Sequence, residues 1–163
     1  MNEHIYSFAP FYKSDAEKLV LGSMPGVESL RRQQYYAYPR NAFWRIMGEL
    51  LHFDYKIPYA DRIEHLYNHK IALWDTVHRC VRKGSLDADI VREEANDFQW
   101  LLEQCPNIKT IFFNGQASHK LFVRHCSKMD LPEVEMIVLP STSPANASWS
   151  FEKKLEAWHQ VII

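Results

Sequence analysis

Four short runs of this chain are apolar almost without a break: KLVLGS (Lys18 to Ser23), KIALWD (Lys70 to Asp75), KTIFFNG (Lys109 to Gly115) and EMIVLPS (Glu135 to Ser141). A strand with one wet face alternates apolar and polar residues, because successive side chains point to opposite faces. Unbroken runs instead predict strands covered on both faces, the habit of parallel sheets. Helical spacing fills the gaps between them. NAFWRIMGELLHF aligns Phe43, Ile46, Met47, Leu50 and Leu51 on one stripe. DADIVREEANDFQWLLEQC predicts a helix through Ile90, Val91, Ala95, Phe98, Leu101 and Leu102, and QASHKLFVRHC and SFEKKLEAWHQVI complete the set. The alternation predicts an α/β fold: a three-layer α/β/α sandwich around a central four-stranded, mainly parallel sheet. No repeat, low-complexity tract or linker interrupts it, so residues 1–163 are expected to form a single domain.

In such sheets ligands bind outside the carboxyl ends of the strands. Here those ends read GSMPG, WDT, FNG and LPSTSP. Each alone is ordinary turn chemistry; together they predict a site. GSMPG is neither a phosphate-binding P-loop nor a dinucleotide fingerprint. Between the first two runs lies QQYYAYPRNAFWR (Gln33 to Arg45), with ring faces to stack a flat ligand and Asn41 at a helix start. Leu30 to Arg45 carries Arg31, Arg32, Arg40 and Arg45 and no acid, and TVHRCVRKGSL carries Arg79, Arg82 and Lys83, again without one. The formal net charge of -1 argues against a uniformly basic nucleic-acid binder. Two basic segments on one face could still follow a phosphate backbone. His65 and His69 share a helical face but have no third ligand, so no metal is expected. Cys80, Cys105 and Cys126 lie far apart and read as reduced thiols. With no signal-peptide pattern and no run of about 18 apolar residues, the expected location is the cytoplasm, away from membranes.

In order, GSMPG, YAYPRNAFW, WDTV, FNG and LPSTS resemble the motifs of the uracil-DNA glycosylase superfamily, over about Leu19 to Ser148. The block GSMPG…SL…QYY…P.N.FW is most similar to that of the hypoxanthine-DNA (deoxyinosine) glycosylases. This resemblance implies a monofunctional enzyme, without cofactor, that hydrolyses the N-glycosidic bond of deoxyinosine in DNA. It implies that Asn41 is catalytic, and that Ser23, Met24, Pro25, Gly26, Tyr36, Asp75 and Asn114 hold the base. Arg40, Arg79, Arg82, Ser141, Thr142 and Ser143 would then meet phosphates, with Pro144 and Asn146 entering the gap left by the flipped base. The implied partner is DNA containing deoxyinosine or another deaminated base, and the implied state a monomer. Met24 stands where other branches place Asp or Asn, and Leu139 where uracil enzymes place His. Read without the resemblance, Asn41 is equally a helix cap, Asp75 a turn cap and Asn114 a strand terminator. An ionised Asp75 would accept the N1–H of hypoxanthine and repel adenine. A uracil or G·T/G·U mismatch glycosylase, and a nucleic-acid-binding module without chemistry, are the competing readings.

Overall fold

In the computed structural model, which describes residues 3–163, the strands are β1 (Ile5–Tyr6), β2 (Lys18–Gly22), β3 (Ile71–Asp75), β4 (Val77–Val81), β5 (Val91–Ala95), β6 (Thr110–Asn114) and β7 (Glu135–Leu139). The helices are α1 (Val27–Arg32), α2 (Phe43–Leu51), α3 (Tyr59–Asn68), α4 (Phe98–Gln104), α5 (Gln116–Cys126) and α6 (Phe151–Trp158). The four apolar runs form one wholly parallel sheet in the order β3-β2-β6-β7. Neighbouring residues of β2, β3 and β6 are buried almost without exception. Since neighbours face opposite ways, both faces of these strands must be covered, as the sandwich requires. β7 departs from the expectation. It is an edge strand, and Met136 and Val138 stay exposed.

A second, antiparallel sheet in the order β1-β4-β5 was not foreseen. Val91 to Ala95, expected to be helical, pairs with β4 through Val77↔Ala95, Arg79↔Glu94 and Val81↔Val91. Its alternation explains the error. Glu93 and Ala95 are half-buried while Arg92 and Glu94 are exposed, and Glu93 ion-pairs with Arg124 and lies 3.2 Å from His125 Nε2, both of α5. The helix begins only at Phe98, where the Asp97 carboxylate accepts from Trp100 N–H. Outside the sheet, Phe11 makes an antiparallel bridge to Leu73 and so covers the free edge of β3.

α2 carries its apolar stripe as predicted, burying Phe43, Ile46, Met47, Leu50 and Leu51 in the main core with Trp158 and Val161. The histidines considered as metal ligands have other contacts. His65 stacks on Phe53 with centroids 4.6 Å apart, and the His69 ring bonds the His65 carbonyl.

Gly48, inside α2, generates a prediction. Alanine there would ordinarily gain about 1 kcal/mol of helix propensity. A Cβ at this position, however, would lie 2.7 Å from the backbone oxygen of Phe53. Gly48→Ala should therefore lower stability, by roughly 1–3 kcal/mol. A shift of the urea midpoint to lower concentration would show it; an upward shift would refute the clash.

Candidate functional site

The chain runs from β2 to β3 on one side, then crosses back past β2 to β6 and on to β7. The connections therefore diverge between the adjacent strands β2 and β6, which makes the crevice above their carboxyl ends the switch point of the sheet. A cavity of about 1050 Å³ opens there. Its walls are the Gly22-to-Ser29 segment, the tyrosine-rich loop, the residues after β6 and the loop after β7.

Gly22 pairs with Asp75 across β2 and β3. A Cβ on Gly22 would lie 2.5 Å from Asp75 Oδ1 and 2.8 Å from Tyr36 Oη, so bare backbone is what lets both groups close over the strand. Tyr36 has a positive φ of 56°, uncommon for a bulky residue, and one ring face stacks on Phe43 at 4.1 Å. Asp75 is only 3% exposed. Both Asp75 Oδ2 and Tyr36 Oη are buried without a hydrogen-bond partner. Burial raises the Asp75 pKa to about 8; the negative charge of Asp87 pushes the same way and the Arg82 guanidinium opposes. Asp75 is thus mainly protonated at neutral pH. The ionised carboxylate expected from the sequence is corrected, because an unpartnered buried charge costs far more than a neutral acid.

Asn41 lies on the cavity wall and Phe43 N–H donates to its Oδ1 at 3.0 Å. Asn41 sits one residue ahead of the N-cap Ala42, so its amide makes a local turn into α2 and is not the cap itself, and that bond fixes which end is oxygen. One lone pair of Oδ1 and the Nδ2 hydrogens are left over. Met24 turns its side chain into a satellite core with Val77, Cys80 and Leu121, and Leu139 is buried in the main core. Both are packing positions here. The N–H groups of Met24 and Gly26 donate to no other group among the described residues. Ser23 Oγ donates to Asp87 Oδ1 at 2.6 Å.

Asn114, expected at the base, lines the cavity, and its amide also holds the loop after β7 while keeping one N–H and one oxygen lone pair over. Asn114 Nδ2 donates to Thr142 Oγ1, and Thr142 N–H donates back to Asn114 Oδ1, each at 2.9 Å. Thr142 is correspondingly buried, although it too lines the cavity. Ser141, Ser143, Pro144 and Asn146 do line the cavity, with Pro144 and Ala145 exposed at the tip.

The basic segments do not form the stripe expected of them. Arg31 and Arg32 both pair with Glu28, Arg45 covers the Phe151 ring at 3.7 Å, and Arg79 pairs with Glu94 across β4 and β5. Arg82, expected at a phosphate, is buried and donates to the carbonyls of Pro25 and Gly84. Arg40 is exposed and makes no ion pair among the described residues. Sequence reasoning missed three contributors. Asp87 is exposed as a residue, but its carboxylate turns inward to Ser23. Ser85 Oγ accepts from Val27 N–H. Buried Asn96 donates to the carbonyls of Asp75 and Val77. The stretch from Asp87 was expected to be helical, and only its nearness to the glycine turn at Gly84 hinted otherwise.

A parallel sheet with an aromatic, carboxyl-floored cavity at its switch point defines an α/β protein built to enclose a flat polar ligand. The model of the uracil DNA glycosylase superfamily matches residues 9–162, and the chain belongs to that superfamily. It is 42% identical over 112 residues to a hypoxanthine DNA glycosylase of Methanosarcina barkeri, covering 68% of this chain and 71% of that one. It is 36% identical over 157 residues to a hypoxanthine DNA glycosylase of Methanosarcina acetivorans, covering 94% and 95%. Among solved structures, an NMR structure from Methanosarcina acetivorans, assigned provisionally as a uracil DNA glycosylase, superposes with a TM-score of 0.78 at 32% identity, covering 98% of this chain and 99% of that one.

The raised Asp75 pKa has a consequence for stability. Unfolded, the group loses its proton near pH 3.9; folded, it keeps the proton up to about pH 8. Between these values the folded state binds the extra proton, so stability falls as pH rises and levels off above the window. Asp75→Asn removes this penalty, which is on the order of several kcal/mol. The melting temperature of Asp75→Asn relative to the wild type should be least favourable near pH 4 and rise to a plateau by about pH 8. A difference independent of pH would refute the raised pKa.

Proposed function

We propose that this chain is a monofunctional DNA glycosylase that hydrolyses the N-glycosidic bond of deoxyinosine in DNA and releases hypoxanthine. The observation that carries the proposal is convergence. Gly22 to Gly26, Tyr36, Asn41, Asp75 and Ser141 to Asn146 come from distant parts of the chain and line one cavity. The relatives sharing its sequence over most of its length are hypoxanthine DNA glycosylases.

A base inside a duplex is out of reach, so the target nucleotide must be extruded into the cavity. Tyr36, backed by Phe43, offers a ring to the base. Asp75 meets its edge at the floor. As the bond between the sugar C1′ and the base nitrogen breaks, its electron pair leaves with the base and positive charge grows on the sugar. The free Met24 and Gly26 N–H groups stabilise the departing base, which takes up a proton. Asn41 acts at C1′. Its remaining oxygen lone pair orients water for attack and turns the negative end of the amide dipole toward the sugar cation. Water oxygen bonds to C1′, its proton is lost, and an abasic sugar remains. Among the described residues no lysine lines the cavity to form a Schiff base, and no step calls on a cofactor.

The exposed Arg40 and the Ser141, Ser143, Pro144 and Asn146 loop take the DNA backbone and the gap left by the flipped base. Arg79, engaged with Glu94, and Arg82, beneath Pro25, are supports in this reading. The chain works as one glycosylase domain and as a monomer on DNA. No helix among the described residues is long and apolar enough to cross a membrane, and three free, buried cysteines support a reducing compartment such as the cytoplasm. Uracil cleavage is the second reading, favoured by the provisional assignment of the solved relative. Duplexes carrying single deoxyinosine or deoxyuridine sites separate the two.

Asn41 both accepts the first N–H of α2 and carries the proposed chemistry, so two variants are needed. Asn41→Ala should lose roughly 10²- to 10³-fold in single-turnover cleavage of deoxyinosine and about 1 kcal/mol of stability. Asn41→Ser keeps a side-chain oxygen for the same N–H. It should melt near the wild type yet cleave as poorly as Asn41→Ala. Serine-variant cleavage within a few-fold of the wild type would leave Asn41 with that structural role only.

A further inference from the structure

Two polar atoms at the cavity floor, Asp75 Oδ2 and Tyr36 Oη, have no partner within the protein. Both belong to residues that line the cavity and both press on Gly22. Buried polar groups without partners are rare in folded proteins and mark places where another molecule completes the bonding. Resting on the glycosylase reading, we infer that Asp75 recognises the extruded base as a neutral carboxylic acid, and that the ligand class it serves is the lactam edge of deaminated bases.

The chemistry follows from the edge. Hypoxanthine presents an N–H donor beside a carbonyl acceptor, and uracil presents the same pair. A neutral acid carries O–H and C=O side by side and matches donor to acceptor at both points. The terminal torsion of an aspartate is broad, so the carboxyl can turn its O–H toward the cavity. A carboxylate has only acceptors and would set a negative oxygen against the lone pairs of the base carbonyl. The neutral acid also does what an asparagine amide does, presenting one donor and one acceptor in the same plane.

The surroundings hold this form. Asp87 places negative charge nearby and is itself fixed by Ser23. Tyr35, Tyr36 and Tyr59 lie near enough to feel the Asp75 charge, and burial chiefly raises their own pKa values, so they stay neutral; the Tyr35 hydroxyl donates to the Ala9 carbonyl and the Tyr59 hydroxyl accepts from Tyr35 N–H. Among the described residues Arg82 is the one cation acting on Asp75, and it donates to Pro25 and Gly84, not to Asp75. An acid of this kind does not by itself separate hypoxanthine from adenine, whose amine and N1 also offer one donor and one acceptor. That choice must come from other contacts.

The test is single-turnover cleavage of duplexes with one deoxyinosine or one deoxyuridine, between about pH 6.5 and about pH 9. Asp75→Ala should lose roughly ten- to hundred-fold on deoxyinosine at neutral pH. Asp75→Asn should recover most of that loss. Wild-type cleavage should fall as pH passes about 8; the asparagine variant should lack that fall. Ionisation of the substrate base is common to both proteins and cancels in the comparison. An asparagine variant as poor as the alanine variant, or one retaining the full alkaline fall, overturns the proposal. A carbon-13 titration of the Asp75 carboxyl, with and without free hypoxanthine or uracil, reads the contact without catalysis. Either base should move the midpoint upward, since it binds the protonated form. A midpoint in the ordinary carboxylate range, or one that neither base moves, also overturns it. A wild type that leaves deoxyinosine uncut while its carboxyl responds to the bases would sink the deoxyinosine reading and leave this one standing.

Discussion

A methyl group at position 22 could not coexist with this site. Its carbon would sit 2.5 Å from Asp75 Oδ1 and 2.8 Å from Tyr36 Oη. The absence of a side chain there lets an acid on one strand and a ring from a distant loop meet over a third segment of backbone. The rest of the arrangement follows from this meeting. Asp75 is buried because Tyr36 closes over it, and its proton stays on because it is buried. Tyr36 accepts a positive φ because its ring is held between Gly22 and Phe43. Strain of that size, about 1–3 kcal/mol, is sustained by the packing beneath it.

The loops above the sheet are bonded to one another as firmly as to their own strands. Thr142 accepts from Ala42 N–H through its carbonyl while its hydroxyl and N–H engage Asn114. Trp158 holds the carbonyl of Pro140, Arg82 that of Pro25, and Asn96 those of Asp75 and Val77. The start of α2, which presents Asn41, is thereby fixed to the end of β7, and the loop after β2 to the second sheet. A glycosidic bond gains little from a group that wanders, since an ångström of misplacement can cost two orders of magnitude in rate.

The parallel sheet was legible in the sequence because a short, unbroken apolar run bounded by turn residues suits little besides a strand covered on both faces. So was the cluster of strand ends that becomes the cavity. The second sheet was not. In Val91–Ala95 a two-residue alternation coincides with helical spacing over so short a length, and Arg79, taken for a phosphate contact, shows its pairing with Glu94 only once the strands are laid side by side. The motifs pointed to the right walls of the cavity but not to the use of each side chain. Thr142 and Asn114 look like ligand groups in one dimension, and only their reciprocal pairing shows that they hold each other. The protonation of Asp75 was equally hidden, since it depends on Asp87, twelve residues on, and on burial that no local pattern announces.

Self-neutralisation of the arginines bears on how the protein holds DNA. Glu28 holds Arg31 and Arg32, Glu94 holds Arg79, and Arg45 lies over a ring. Affinity for undamaged duplex rises with the number of phosphates a surface neutralises, at about 0.9 in log–log salt slope for each. A face whose arginines are engaged at home has fewer cations to lend to phosphates, which leaves that task to exposed ones unpaired among the described residues, such as Arg40 and Lys83.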